Sequence, residues 1–338
     1  MAPGGIKRIS TLFRSKSHSK DPSSKKSSKH LQALPDEPEP PATPSTFSSP
    51  STISGPGGSR RRGGRTGTRD TYEDFLGPVS PPTRSSPTQF LEEFDQPLTD
   101  RVVVVTGASR GIGLEFVRQL SQDPRTLIIA VIRNPETAAK LVQLTSTQVV
   151  AVHADITDEA SLKAAASDVA RISKGKVDLL INCAAVNTDA KRPLAEWDAE
   201  GLNQHLATNV TGPVSTINAF LPLLRKGKEK RVINLTSGMS SLAYNDPHLG
   251  FEISPSYAAY SISKCCLNLA TRKYAVEQGK EGFTFVALSA GWVRTDMGGP
   301  DAPLSAKEAV AQLIKVIDGL KPADNGKFMH IDGTEIEF

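Results

Sequence analysis

The sequence is poor in cysteine and in aromatic residues, and it has no long apolar run. Its three cysteines, Cys183, Cys265 and Cys266, are too few for a disulfide framework, and two of them are adjacent. We therefore expect an intracellular chain whose thiols are buried and unreactive. No apolar stretch approaches the roughly 18 residues that cross a bilayer, which argues against a transmembrane segment.

An excess of charge of one sign is also lacking from most of the chain. From residue 96 onward, 26 Lys and Arg balance 26 Asp and Glu, so the net charge of +4 belongs to the first 95 residues. A domain that binds nucleic acid usually shows a basic excess. We therefore predict no nucleic-acid partner for residues 96–338, and no metal site is predicted there either.

The first 95 residues lack the apolar side chains that a core needs. They hold 13 of the 24 prolines and runs such as "PDEPEPPATPSTFSSP", so we predict a disordered Ser/Pro/basic-rich tail over 1–95 and one domain over 96–338. Residues 1–30 contain eight basic residues and one acidic residue. This pattern leaves a mitochondrial presequence as the alternative to a solvated linker, and the predicted location is the cytoplasm.

From Arg101 the chain alternates between strand and helix patterns. Runs of β-branched residues such as "RVVVV" and "TLIIAVI" predict strands that are buried on both faces, and periodic segments between them predict helices. One long helix is expected from about residue 196 to residue 226. Alternation with short connections is typical of a Rossmann-type, doubly wound parallel α/β sheet, here of about seven strands with helices on both faces. Ligands of such a sheet bind beyond the carboxyl ends of its strands.

A glycine-rich turn, "TGASRGIG", follows the first predicted strand. Gly107, Gly111 and Gly113 allow a tight turn and a close approach of phosphate to the backbone at a helix N-terminus. Because the turn joins a strand to a helix, it predicts a dinucleotide site. The alternative is a purely structural turn.

Charge beside this turn indicates which dinucleotide is bound. An NAD site normally has an acidic residue at the end of the second strand, but here that place holds Arg133, and Arg110 lies inside the turn. Two guanidinium groups suit a 2′-phosphate better than a 2′-hydroxyl. We therefore predict NADP(H) rather than NAD(H), although an exposed loop cation is the alternative for Arg133.

A tyrosine and a lysine occur one helical turn apart in "YSISK". Tyr260 and Lys264 share one helix face, as a proton donor and a cation that lowers its pKa would need. Tyr257 lies seven residues before Lys264 and is expected to be a pocket wall. The alternative for the pair is ordinary helix surface, since such spacing also arises by chance.

Other short segments follow the same order along the chain, namely "HADIT", "NCAA", "TNVTGP", "NLTS" and "WVRTD". Together with the glycine turn and "YSISK", they resemble the short-chain dehydrogenase/reductase family in its compact single-domain branch, over residues 101–338. The C-terminal segments are most similar to the C-factor and sniffer-like carbonyl reductases. This resemblance implies an oxidoreductase.

The resemblance also implies site residues. Asp155 corresponds to the acid that meets the adenine amino group, Lys264 to the residue that holds the nicotinamide ribose, and Thr295 to a contact of the carboxamide. The cofactor-binding set that it implies is Thr106, Gly107, Ser109, Arg110, Gly111, Ile112, Gly113, Arg133, Asp155, Ile156, Asn182, Ala184, Tyr260, Lys264, Val293 and Thr295.

The implied catalytic set is Ser237, Tyr260, Lys264 and Asn209. By resemblance, Ser237 would hydrogen-bond the substrate oxygen, Tyr260 would be the general acid/base, and Asn209 would hold a water that returns the proton. Two alternatives stay open: Ser240 and Ser241 lie close to Ser237, and Asn209 could instead bond its own backbone.

Two departures from the family pattern bear on function. Cys183 and Ala185 replace residues of the usual Asn-Asn-Ala-Gly, and Ala184-Ala185 could weaken cofactor binding. Residues 238–256 form an unusually long connection, which we expect to lie over the substrate pocket. Neither departure affects Ser237, Tyr260 or Lys264, so we predict an active NADP(H)-dependent enzyme that acts on a small carbonyl or alcohol. The alternative is a weakly active NADP(H)-binding regulatory protein that uses its tail for a partner; a nucleotide-sugar epimerase is disfavoured. A homo-oligomer is compatible with the sequence.

Overall fold

The computed structural model describes residues 99–188, 190–245 and 257–338. The predicted tail over 1–95 lies outside the described residues, as does most of the long connection. Within those described ranges, no helix is both long enough and apolar enough to cross a membrane.

Seven parallel strands form the central sheet, in the order β3-β2-β1-β4-β5-β6-β9. Their bounds are β1 Arg101–Thr106, β2 Thr126–Ile132, β3 Val149–His153, β4 Leu179–Asn182, β5 Arg231–Thr236, β6 Thr284–Ser289 and β9 Phe328–Met329. The order changes direction at β1, which places a ligand crevice beyond the carboxyl ends of β1 and β4. The predicted doubly wound sheet is confirmed.

Helices cover both faces of this sheet. Their bounds are α1 Gly111–Leu120, α2 Ala139–Val142, α3 Glu159–Ile172, α4 Ala199–Leu206, α5 Gly212–Leu224, α6 Ala258–Gln278 and α7 Ala306–Gly319. Successive strand residues point to opposite faces: Val103 and Val105 belong to one apolar cluster with α1 and α7, whereas Val102 and Val104 belong to another with α3 and α5. Strand β1 is therefore apolar at successive positions because both of its faces are buried.

Two features differ from the sequence prediction. The long helix expected from residue 196 to 226 is divided into α4, a π-helical turn at Ala207–Thr211, and α5. A small pair of strands, β7 Val293–Arg294 and β8 Leu304–Ser305, was not predicted, because two-residue strands leave no periodic pattern. Both differences lie beside the predicted site.

Candidate functional site

The glycine-rich turn after β1 is shaped by backbone contacts that exclude side chains. Gly107 and Gly111 have positive φ angles of 66° and 55°, which favour glycine. A Cβ on Gly113 would lie 2.3 Å from the carbonyl oxygen of Gly107, so this position admits no side chain without movement of α1. The turn is thus the tight, backbone-lined type that the sequence predicted.

Helix α1 begins directly after this turn and suits an anion. Its N-cap residue, Arg110, makes no side-chain hydrogen bond to the helix, and the first turn contains no acidic residue. The first N–H groups of a ten-residue helix therefore face an open turn with the positive end of the helix dipole. These residues fit the phosphates of a dinucleotide.

Thr106 connects this turn to the segment after β4. Its Oγ1 accepts hydrogen bonds from the backbone N–H groups of Cys183 (3.1 Å) and Ala184 (3.2 Å). A Cβ on Gly107 would lie only 2.7 Å from the Cα of Ala184. The altered 182–185 segment is therefore packed directly against the glycine-rich turn.

The carboxyl ends of β2 and β3 carry the residues predicted for the adenosine end. Arg133, directly after β2, is exposed, and Asp155 follows β3. Partial burial acts to raise the pKa of Asp155, but hydrogen bonds from Thr157 and the charge of Arg133 outweigh it and leave that pKa below its usual value. Asp155 is therefore ionised and able to accept hydrogen bonds.

Helix α6 holds Tyr260 and Lys264 on its inner face. The Nζ of Lys264 lies 5.6 Å from the ring centre of Tyr260 and donates to the carbonyl oxygen of Leu235 at 2.8 Å. Leu235 is two residues before Ser237, so the ammonium group is fixed at the carboxyl end of β5. Lys264 is only 3% exposed, which contradicts the alternative that the pair is helix surface.

The pKa of Tyr260 shifts opposite to the predicted direction. Burial, and to a smaller extent neighbouring Cys183, raise the pKa of its phenol above the ordinary value. Burial also lowers the pKa of Lys264 to about 8, against an opposing effect of Cys183. The expected lowering of the Tyr260 pKa by Lys264 is wrong for the protein's own atoms, because burial of the phenol is the largest influence on this pKa and raises it.

The three serines after β5 have different roles. Ser237 is half-buried, and its Oγ accepts a hydrogen bond from the backbone N–H of Met239 (3.3 Å), which leaves its own proton available. Ser240 and Ser241 are 2% and 0% exposed and donate to the backbone carbonyls of Ser237 and Glu337. Of the three, Ser237 is therefore the one able to meet a substrate.

Sequence reasoning missed two contacts that hold this segment in place. Asn268, one turn beyond Lys264 on α6, donates to the Oγ of Ser240 at 2.8 Å. The backbone N–H of Ala243 donates to the carbonyl of Phe338 at 3.3 Å. Asn268 stands four residues after Lys264, which was a usable signal; the contact with Phe338 joins residues far apart in sequence and had none.

Asn209 lies in the π-helical turn and is fully buried. Its Oδ1 accepts from the backbone N–H of Val186, and its Nδ2 donates to the carbonyl of Val186 and to the Oγ of Ser263, all at 2.9 Å. The alternative that its side chain bonds its own backbone is therefore wrong. Both amide protons are used, so the predicted water relay, which stays a prediction, would need backbone atoms of the π turn.

The segment after β6 lies beside the glycine-rich turn, at the carboxyl ends of the strands. Thr295 lies against the glycine-rich turn, because a Cβ on Gly111 would be 3.4 Å from its Cγ2. The indole N–H of Trp292 donates to the carbonyl of Gly298 at 2.7 Å, and its ring is 54% exposed. Thr295 thus borders the glycine turn, and its predicted contact with the carboxamide stays a prediction.

Several predicted cofactor contacts have side chains that face the protein interior. Ile156 lies against Gly212, Asn182 donates to Asn234 at 2.8 Å, and Val293 is 4% exposed. Ile112 packs on the core, whereas Ser109 is half-buried in the glycine turn. Ile156, Asn182 and Val293 could contact a cofactor only through backbone atoms.

The loop predicted to lie over the substrate pocket is described only in part. Residues 246–256, including Phe251, lie outside the described residues, so the predicted loop is described only to residue 245.

Cys266 is exposed and Cys183 and Cys265 are half-buried, so the prediction of buried thiols is wrong for Cys266. Burial raises the pKa of Cys183 to about 12, which makes this thiol a poor nucleophile.

Comparison with known proteins identifies the family. The short chain dehydrogenase profile matches residues 101–303. An oxidoreductase of Schizosaccharomyces pombe is 33% identical to this chain over 262 residues. The match covers 71% of this chain and 99% of the length of the relative. The C-signal protein of Myxococcus xanthus is 40% identical over 165 residues, covering 49% of this chain and 95% of its own.

Solved structures agree with these relatives. The NADPH-bound carbonyl reductase from chicken fatty liver has a TM-score of 0.65 and 31% identity, covering 71% of this chain and 95% of its own. The carbonyl reductase Sniffer of D. melanogaster has a TM-score of 0.65 and 27% identity, covering 71% of this chain and 100% of its own. The expected likeness to sniffer-like carbonyl reductases is confirmed. The chain belongs to the short-chain dehydrogenase family of oxidoreductases.

Proposed function

We propose that this protein is an NADP(H)-dependent oxidoreductase that transfers hydride between nicotinamide and a small carbonyl or alcohol, with Tyr260 as general acid/base. Reduced nicotinamide supplies the hydride to the carbonyl carbon when it is bound. Negative charge then grows on the substrate oxygen, which needs a proton and hydrogen-bond donors. Tyr260 donates the proton, and Ser237 donates a hydrogen bond to the same oxygen.

The observation that carries this proposal is the fixed position of Lys264. Its ammonium group is buried between Tyr260 and the end of β5, two residues before Ser237. A buried cation is costly unless it has partners, and Lys264 has one backbone carbonyl and the face of a phenol. This arrangement keeps a proton donor, a cation and a hydroxyl together at the edge where a dinucleotide binds.

The raised pKa of Tyr260 suits the general-acid role that carbonyl reduction needs. Burial raises this pKa, so the phenol keeps its proton at neutral pH, which is the form that a general acid needs. Oxidation of an alcohol would instead need the phenolate as a base.

The positive charges beside the glycine-rich turn favour NADP(H) over NAD(H). Arg133 occupies the end of β2 where a carboxylate would receive a ribose hydroxyl, and Arg110 lies at the start of α1. The chicken carbonyl reductase of similar fold binds NADPH. Equilibrium titration should therefore give a lower dissociation constant for NADPH than for NADH.

The central test replaces Tyr260 by phenylalanine. Tyr260→Phe removes the proton donor and keeps the ring, so turnover should fall by about 100-fold or more while NADPH binding is retained. The measurement is NADPH oxidation with a panel of aldehydes, ketones and quinones, beside a fluorescence titration of NADPH. Tyr257→Phe, three residues earlier, serves as the control and should change turnover only a few-fold.

Two outcomes would contradict the proposal. Equal turnover by the wild type and Tyr260→Phe would remove the phenol from the reaction. NADPH binding without turnover of any carbonyl compound, together with partner capture that requires residues 1–95, would favour the regulatory protein instead.

A further inference from the structure

An ion pair joins the phosphate-binding turn to the segment after β6. The Nη1 of Arg110 lies 3.2 Å from the Oδ2 of Asp296 and donates a hydrogen bond to it. Arg110 is the N-cap residue of α1, and Asp296 follows Thr295, which lies against Gly111. A carboxylate therefore stands at the mouth of a site whose other features suit an anion.

The backbone around Asp296 is well anchored. Thr295 accepts hydrogen bonds from the N–H of Gly298 at its Oγ1 (3.1 Å) and from the N–H of Gly299 at its carbonyl (2.9 Å). The indole of Trp292 donates to the carbonyl of Gly298. Because this turn fixes its Cα, the carboxylate of Asp296 is directed at Arg110 by the fold.

We propose that Asp296 competes with the 2′-phosphate of NADP(H) for Arg110 and thereby limits the affinity and selectivity for this cofactor. Asp296 takes one of the five guanidinium N–H donors of Arg110, so a phosphate that uses this donor must displace the carboxylate. If it does not, the carboxylate stays beside an incoming anion and repels it. This inference rests on the proposed function, because it requires NADP(H) to bind at this turn.

The expected size of the effect follows from exposure. The side chains of Arg110 and Asp296 are 74% and 78% exposed, and solvent screens such pairs strongly. An exposed ion pair changes an equilibrium by no more than about five-fold. A phosphate monoester carries close to two negative charges near neutral pH, so NADPH should respond more than NADH, which lacks the 2′-phosphate.

The experiment measures equilibrium binding of NADPH and NADH to the full chain by fluorescence titration, without turnover. Asp296→Asn should lower the NADPH dissociation constant by about two- to five-fold and change that of NADH by less than about two-fold. Both side chains are exposed, so the variant should fold; thermal unfolding checks this. Asp301→Asn, an exposed residue of the same segment with no ion-pair partner among the described residues, removes the same charge and should change neither constant.

A second variant tests whether Asp296 acts through Arg110. In an Arg110→Gln background, Asp296→Asn should change the NADPH dissociation constant by less than about 1.5-fold. An undiminished gain in that background would overturn the inference, as would an equal gain with Asp301→Asn or no gain in the wild-type background. If the wild type binds no NADPH, the proposed function fails and this inference fails with it; binding that Asp296→Asn leaves unchanged overturns the inference alone.

Discussion

Lys264 is a buried cation, and its cost should appear as a pH-dependent stability. Its pKa in the folded chain is about 8, below the ordinary value of 10.5, mainly because of burial. Between these two values the unfolded chain binds more protons than the folded chain, so the free energy of unfolding should rise with pH. The rise cannot exceed about 1.4 kcal/mol per pH unit for one proton.

Denaturant unfolding of the wild type and Lys264→Met at several pH values checks this prediction. The stability difference, wild type minus variant, should increase from about pH 8 to about pH 9.5. The comparison with Lys264→Met is needed because Cys183 and Tyr260 also have shifted pKa values. They make the stability of both proteins depend on pH, and subtraction removes this shared contribution. A difference that is flat across this range would show that Lys264 keeps its ordinary pKa.

Sequence reasoning at this scale identified residue types and positions but not their surroundings. Helical spacing correctly placed Tyr260 and Lys264 on one face. The direction of the Tyr260 pKa was wrong, because desolvation depends on side chains that come from other elements. Similarly, "TSGMSS" offers three serines, and only the burial of Ser240 and Ser241 separates them from Ser237.

Gly113 is an element-scale test of how α1 packs on the turn. Intrinsic helix propensity predicts that Gly→Ala inside a helix stabilises by up to about 1 kcal/mol. At Gly113 the new Cβ would lie 2.3 Å from the carbonyl oxygen of Gly107, so Gly113→Ala should instead destabilise by about 1–3 kcal/mol and weaken NADPH binding.

The control for this variant is Gly319→Ala, at the end of α7. A Cβ on Gly319 meets nothing within 4 Å, so this substitution should be neutral or slightly stabilising. Chemical denaturation of both variants measures the two changes. Equal effects would mean that helix propensity, rather than the contact with Gly107, decides the outcome at Gly113.

The elements themselves were largely predictable from the sequence, with an exception beside the candidate site. Buried strands such as β1 and β2 carry continuous β-branched runs, and α3 and α7 carry clear helical periodicity. The π turn at Ala207–Thr211 was not predicted, because its cause is tertiary: the Asn209 side chain bonds Val186, beyond β4, and Ser263 on α6.

At the scale of the whole molecule, both large apolar clusters of the sheet are built from residues between Val102 and Ile331. The backbone N–H of Asp100, just before β1, donates to the carbonyl of Arg125 at 3.0 Å. We therefore propose that residues 96–338 are sufficient for the fold and for NADPH binding.

A chain of residues 96–338 should match the full chain in melting temperature to within about 2 °C, which for a domain of this size is below about 1 kcal/mol. Its NADPH dissociation constant should be unchanged. Calorimetry and fluorescence titration of both chains are the measurements. A large loss of stability or affinity would show that the first 95 residues take part in the domain.

The type of sheet was predictable, because alternating strands and helices with short connections lead to a parallel doubly wound sheet. The contacts that fasten the site were not predictable. Ala243 bonds the backbone of Phe338, and Arg110 bonds Asp296, across separations that leave no pattern in the sequence. Such pairs become visible only once the fold has brought them together.

The indole of Trp292, bonded to Gly298, gives the segment that carries Asp296 a natural fluorophore. The sequence contains only one other tryptophan, Trp197, whose ring meets His205 edge-on at a centroid distance of 5.0 Å. Trp197→Phe would therefore leave Trp292, in the segment beside the glycine-rich turn, as the only tryptophan of the chain. The emission wavelength and fluorescence lifetime of Trp292 would then report movement of the segment that carries Asp296, without any attached dye.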